Sequence, residues 1–300
     1  MADLVATPYE SRYYNWRGWR MRYLWRRGTG GLPIICVHGF GAAADHWRSN
    51  IPDLAELGTV YSLDLLGFGS SQKPACTYRI QLWAEQLYEF WQKYINRPAL
   101  LIGNSIGALV VTIAASQYPA MGCGVVAISL PDIQQLQAMI PPLLLPLQQA
   151  VAWVLAGVVA KPLFYWVRRP AVIRSVLKQA IYPRYPHRVD QELMHIICQP
   201  TRDRSAPEAF LRLSRSVNSP HYSPNLRQAL TNLTIPVLIL WGTLDRAIPP
   251  TEGKRLIAYL RDGELLYLDN LGHCPHDEDP QQVNLVIKDW VQRTILTPHC

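Results

Sequence analysis

Six short apolar runs, separated by segments long enough to be helices, constrain this chain more than any other feature. They are Leu32–Val37, Thr59–Leu63, ALLIG from Ala99, GVVAIS from Gly124, IPVLILWG (Ile235–Gly242) and ELLYLD from Glu264. Each lacks the polar alternation of a half-exposed strand, so each reads as a strand buried on both faces. The intervening segments carry the other period. Trp83, Leu87, Phe90 and Trp91 recur at helical spacing within Ile80–Ile95, and further helices are expected over Ile106–Gln117, near Glu252–Leu260, and over Gln281–Leu296. The stretch HGFGAAADHW after the first run is also expected to turn into a helix. Strands and helices that alternate this way build a mostly parallel sheet with helices on both faces, an α/β fold.

The middle of the chain is different. From Pro131 to about Thr234 it reads as helices with prolines at the joints and no obvious strand. The expected organisation is therefore one α/β core, residues 1–130 and 235–300, interrupted by a helical cap or lid at 131–234. Within the cap, Met139–Val167 is long and apolar enough to raise the question of a membrane span. Three prolines and a Gln–Gln pair break its first half, and its clean apolar run, Ala150–Ala160, is only 11 residues. Such a run suits an interfacial helix, a greasy lid or the cap's own packing core rather than a span.

Charge narrows the partners. The formal net charge is +7, and six arginines fall between Arg12 and Arg27, among Trp16, Trp19 and Trp25. One reading is a basic aromatic face for an anionic membrane. The plainer one is a strand pair turning at Gly18, with Met21, Tyr23 and Trp25 inward and Arg20, Arg22 and Arg26 in solvent. No nucleic-acid-binding motif accompanies the arginines, so no nucleic-acid partner is expected. The six cysteines are scattered without a C-x-x-C pair, which suggests neither a zinc site nor a disulfide framework and points to a reducing compartment. MADLVATPYE lacks the apolar core of a secretory signal, so a cytoplasmic location is the expectation.

The chemistry lies in LLIGNSIGALV, where Gly103 and Gly107 flank Ser105 two residues to either side. At a sharp strand-to-helix turn the apex residue is strained and its neighbours two positions away come too close for side chains. Small residues are therefore required there, and the Ser105 hydroxyl is left exposed above the sheet. A serine hydroxyl needs a base and an orienting acid to become a nucleophile. Asp245 follows the IPVLILWG strand and His273 follows ELLYLD, both on loops at carboxyl ends of strands. Asp132 is the alternative acid and His276 the alternative base; Asp64 and His38 read as loop-ordering residues. The oxyanion of an acyl-transfer intermediate needs two backbone N–H groups, expected from Ile106 and from Phe40 in the HGFG loop that contains Gly39. Neither a metal cluster nor a phosphate-binding loop is evident, so no metal or cofactor is expected.

With these residues the chain resembles α/β-hydrolase fold enzymes, and more specifically the chlorophyll dephytylase and pheophytinase-like hydrolases of photosynthetic organisms. The stretches that carry the resemblance are VHGFGAAADHWRSNI, VYSLDLLGFGSSQKP, LLIGNSIGALVVTIAAS, IPVLILWGTLDRAIP and LGHCPHDEDP. Ile106 and Ala108 depart from the Leu and Gly common around the serine. The resemblance implies a serine carboxylic-ester hydrolase that removes phytol from chlorophyll or a related pigment, with Ser105, Asp245 and His273 as its triad and Phe40 and Ile106 as oxyanion donors. It also implies a lipophilic ester as partner, and peripheral contact with the thylakoid membrane through the cap and the basic N-terminus. Epoxide hydrolases and dehalogenases of this fold carry an aspartate where Ser105 stands. An esterase for another lipophilic ester, or a slow or inactive pigment-binding protein of the same fold, would share these motifs.

Overall fold

Eight strands form one sheet in the order β1-β2-β4-β3-β5-β6-β7-β8, where β1 is Glu10–Trp16, β2 Trp19–Arg26, β3 Ile34–Val37, β4 Val60–Leu63, β5 Ala99–Asn104, β6 Gly122–Ile128, β7 Val237–Gly242 and β8 Gly263–Leu268. The computed structural model describes residues 9–138, 159–217 and 219–297. From β4 to β8 every neighbouring pair is parallel, while β1 and β2 form an antiparallel hairpin that joins β4 at one edge. This is the mostly parallel α/β sheet that the alternation of apolar runs implied, in the α/β-hydrolase arrangement that the resemblance implied.

Successive side chains of a strand point to opposite faces, and the parallel strands use both. Ile35, Val37, Leu101, Ile239 and Trp241 pack on one face, against Trp83, Leu87 and Phe90 of the Ile80–Tyr94 helix. Ile34, Cys36, Leu100, Ile102, Leu238 and Leu240 pack on the other, with Trp47, Ile51, Ile287 and Trp290. Helix Ile106–Gln117 is apolar nearly all round because it is buried nearly all round, from Ile106 to Ala115.

Two local expectations change. The stretch after His38 forms only a 3-10 turn at Ala44–Trp47 and a single helical turn at Ile51–Leu54, because the chain dives straight under the sheet. The N-terminal hairpin does turn at Gly18, where Arg17 and Gly18 take φ of 50° and 87° as a tight two-residue turn requires. Arg22, however, is not a solvent-facing residue of that hairpin. Its guanidinium is largely buried and grips both carboxylate oxygens of Asp45, with Asp64 3.6 Å away. Arg17 likewise pairs with Glu85 and Glu89, and Arg12 with Glu10 while lying over the Trp25 ring. Much of the N-terminal positive charge thus serves the hairpin's own packing.

Between β6 and β7 the described residues are helical or loop, including helical residues 159–167 and the helices Pro170–Val176, Gln191–Cys198, Ala206–Val217 and Leu226–Asn232. Asp190 and Asn225 cap the second and fourth of these by accepting the N–H groups of Leu193 and Gln228. Most of the Met139–Val167 run lies outside the described residues. No described helix is long and apolar enough to cross a membrane.

Candidate active site

Ser105 stands between the end of β5 and the first residue of the Ile106–Gln117 helix with φ 54° and ψ −121°. A non-glycine residue in that region carries strain of about 1–3 kcal/mol, which the surroundings must impose. The clamp is visible: the Ser105 N–H donates to Ile128 O at 2.8 Å, and its carbonyl accepts from Leu109 at 3.1 Å. A Cβ on Gly103 would run into the carbonyl of Gly107, and one on Gly107 into the carbonyls of Val37 and His38. The glycines are thus needed for close backbone approach. Gly39 sits against the same turn, where a Cβ would press on Asn104 Oδ1 and meet Ser105 Cβ at 3.4 Å. The loop carrying Phe40 therefore borders the serine. Ile106 opens the helix, so its N–H is one of the first-turn donors with no carbonyl partner within the helix.

Asp245 and His273, on the loops after β7 and β8, are hydrogen-bonded: Nδ1 of the ring lies 2.8 Å from Oδ2 of the carboxylate. A carboxylate only accepts, so Nδ1 carries the proton and Nε2 is left with a lone pair. The other oxygen, Oδ1, accepts the N–H groups of Ala247 and Ile248 at 2.8 and 2.9 Å, which fixes the carboxylate's orientation. Asn104, directly before the serine, donates from Nδ2 to His273 O at 3.0 Å and ties the two loops together.

The rivals are accounted for. Asp132 pairs with Arg255 at 2.8 Å and accepts Gln135 N–H, so its carboxylate is spent elsewhere. His38 is buried, donates from Nδ1 to Gly39 O and accepts Leu65 N–H at Nε2; Asp64 accepts the N–H groups of Ala44 and Ser70. Both order loops. His276 is fully buried with its ring against Trp47, centroids 4.2 Å apart.

One set of residues was not read from the sequence. Residues 181–188 bind the His273 loop from the cap side. The His273 N–H donates to Ile181 O, and Glu278 accepts from the N–H groups of Gly272, Arg184 and Tyr185. Asp277 receives the Tyr182 hydroxyl at 2.8 Å and Arg188, and Arg48 lies 2.8 Å from it as an ion pair without hydrogen-bond alignment. His46 completes the cluster by donating from Nε2 to the Tyr182 hydroxyl at 2.7 Å. The signal was the acid-rich HDEDP after the histidine, in a segment otherwise apolar enough to be buried.

Burial lowers the His46 pKa to about 4, against the pull of Asp277 and with the help of Arg48; burial lowers that of His276 well below the ordinary 6.5, with His46 and Arg48 adding to it. At 3.7 Å from Asp277, His46 is therefore a neutral neighbour and not an ion-pair partner. In the unfolded chain both rings take up protons below about pH 6.5. The unfolded state then binds more protons than the folded one, so stability is complete above pH 6.5 and falls as the pH drops toward 4. The expected loss is about 1 kcal/mol per pH unit for each ring. Thermal melting at pH 7 and pH 5 checks this: His276→Phe, which keeps a ring on Trp47, should flatten the slope, and an unaltered slope would contradict the assignment.

A cavity of about 180 Å³ lies against the Phe40 loop that borders the serine, walled by Phe40, Phe68, Tyr78, Phe164, Ile173, Phe210 and Leu213 among others; Ser105, Asp245 and His273 are not in its wall. Its lining is almost wholly apolar apart from Lys73, Arg168 and Thr201. Lys73 is buried and donates to Gly69 O and Ser71 O, and its loss of water pushes the pKa down despite Asp203 nearby.

Residues 34–284 match the alpha/beta hydrolase family, to which the chain belongs. Among its relatives is the uncharacterized hydrolase YugF of Bacillus subtilis, 26% identical over 273 residues that span 89% of this chain and 92% of that protein. Another is the chloroplastic pheophytinase of Arabidopsis thaliana, 22% identical over 86% of this chain but only 61% of that protein. Of solved structures, a membrane phospholipase A described as a bacterial virulence factor superposes with a TM-score of 0.76 at 22% identity, covering 96% of this chain and 87% of that one. A thermophilic esterase from Thermogutta terrifontis gives 0.71 at 20% identity, covering 95% and 98%. At such identities the structural likeness speaks for the fold alone.

Proposed function

We propose that this chain is a serine carboxylic-ester hydrolase acting on a lipophilic ester, with the phytyl ester of a chlorophyll-type pigment as the substrate favoured by the pheophytinase relative. The observation that carries the chemistry is the 2.8 Å bond between His273 Nδ1 and an Asp245 carboxylate anchored by two backbone N–H groups. It fixes the tautomer that a base for Ser105 needs.

In this reading Ser105 Oγ adds to the ester carbonyl carbon as His273 Nε2 takes its proton. The negative charge that develops on the carbonyl oxygen is met by the N–H groups of Ile106 and Phe40, the first aided by the positive end of the helix. His273 then protonates the departing alcohol oxygen, and the acyl group stays on Ser105. Water, deprotonated by the same imidazole, releases the acid and restores the serine. Residues between Phe164 and Leu213, in the segment read as the cap, supply much of the cavity wall.

The apolar cavity supports a greasy substrate, since burying each CH₂ contributes about 0.8 kcal/mol. Its volume favours a second reading within the same chemistry. An apolar cavity of about 150 Å³ takes one benzene-sized molecule, so about 180 Å³ suits a short or medium chain, and a twenty-carbon tail would have to extend beyond it.

Incubating the purified protein and Ser105→Ala with chlorophyll a and pheophytin a in detergent, beside a series of nitrophenyl esters of rising chain length, tests both. Free phytol from the wild type alone supports the pigment reading. Turnover confined to short esters replaces it with the second. No turnover on any ester contradicts both.

A further inference from the structure

The whole excess positive charge of the chain belongs to one stretch. Residues 133–189 hold seven Lys or Arg and no Asp or Glu, and the remaining residues carry equal numbers of acidic and basic side chains. Part of that charge is consumed locally: Arg188 pairs with buried Asp277, and Lys161 meets Glu208 at 3.2 Å. Arg169 and Lys178 are exposed, and Arg168, half-buried, lies over the Tyr165 ring with 4.5 Å from its guanidinium carbon to the ring centroid.

Helical residues 159–167 within this stretch are apolar on two sides. Ala160 and Phe164 are buried, and Phe164, Val167 and Arg168 line the cavity. On the other side Val159, Leu163 and Trp166, at i, i+4 and i+7, form a stripe that is 45%, 42% and 52% exposed. A helix on a protein surface needs one apolar stripe to pack inward; a second one facing water has a separate purpose or a separate partner. The cationic edge and the absence of any acidic side chain in the stretch select among partners. An acidic protein would be met by cations alone, whereas a leucine–tryptophan stripe beside arginines suits the boundary between anionic headgroups and acyl chains.

We propose that residues 159–169, with Lys178, form a docking surface for anionic phospholipid bilayers, with Leu163 and Trp166 inserted at the acyl boundary and the exposed Arg169 and Lys178 at the headgroups. The adjacent face of the same helix, about 100° round, walls the cavity, so docking sets the cavity beside the bilayer from which a lipophilic ester is drawn. Association with the bilayer does not depend on hydrolysis and stands apart from the reading of Ser105.

Flotation of the full chain with vesicles of phosphatidylcholine alone, and of equal parts phosphatidylcholine and phosphatidylglycerol, tests the proposal. Binding is expected to the anionic vesicles, weakened at least about ten-fold on neutral ones, because each basic residue at the surface contributes about 1 kcal/mol. The double variant Leu163→Ser, Trp166→Ser should lose at least about ten-fold in partitioning while its melting temperature and its hydrolysis of a water-soluble ester stay as in the wild type. Ser105→Ala should bind as the wild type does. No binding, equal binding to both vesicles, or binding indifferent to the double variant overturns the proposal. So does a shift from dimer to monomer in the double variant, which would assign the stripe to a second copy of the chain.

Discussion

Replacing Ser105 with alanine should lower ester hydrolysis by at least about 10⁴-fold and leave the fold intact. Alanine keeps the Cβ, so the backbone at φ 54° is held as before, and the N–H bond to Ile128 and the glycine contacts on either side remain. Only the hydroxyl is removed. Ser105→Gly should remove it equally and also relieve the strain, so that variant is expected to melt at a higher temperature than Ser105→Ala. With about 1–3 kcal/mol stored at such a residue, and about 2–4 °C of melting temperature for each kcal/mol in a large domain, differential scanning calorimetry resolves the difference. Equal melting of the two variants would mean that the strain no more than offsets the about 0.4–1 kcal/mol by which glycine loosens the unfolded chain.

Asp245→Asn should be nearly as damaging, by about 10⁴-fold in kcat, for a reason the local bonding dictates. Oδ1 of residue 245 accepts two backbone N–H groups, from Ala247 and Ile248. In asparagine the amide oxygen must remain there, which turns the NH₂ toward His273 Nδ1. Nδ1 must then accept and the ring proton moves to Nε2, where the lone pair for Ser105 was. Asp132→Asn supplies the contrast. Its carboxylate is engaged with Arg255, so activity should stay within a few-fold of the wild type while stability falls. Steady-state kinetics on one soluble ester compares the two, and similar losses in both variants would contradict the division of roles.

Why some of this was legible in the sequence and some was not follows from how far apart the interacting residues lie. β3, β5 and β7 are covered on both faces, so each is a continuous apolar run that announces itself. The serine turn was legible because its steric demand is local: Gly103 and Gly107 are two residues from Ser105 and nothing larger fits. Asp245 and His273 were found from their order after strands, though their hydrogen bond spans 28 residues. Arg22 was misplaced in solvent because period two speaks only of faces, and its partners Asp45 and Asp64 are brought to it by folding. The clamp of Glu278 and Asp277 on residues 181–188 joins positions about ninety residues apart, and its one local trace, the acid-rich HDEDP, does not name the partners. The same holds for the two-sided helix of residues 159–167: a mostly apolar run tells of burial, not that one side would face a cavity and the next one water.

The proposed roles of Asp245, His273, Ile106 and Phe40 all require Ser105 to be an activated nucleophile. An alkyl fluorophosphonate, which phosphonylates a serine only when a base has drawn its proton, measures this without knowledge of the substrate. Incubation of the full chain with the probe followed by peptide mass spectrometry should find a single adduct, on Ser105, absent in Ser105→Ala and formed far more slowly in Asp245→Asn. A folded protein that takes no adduct, or takes it on another residue, would contradict the claim.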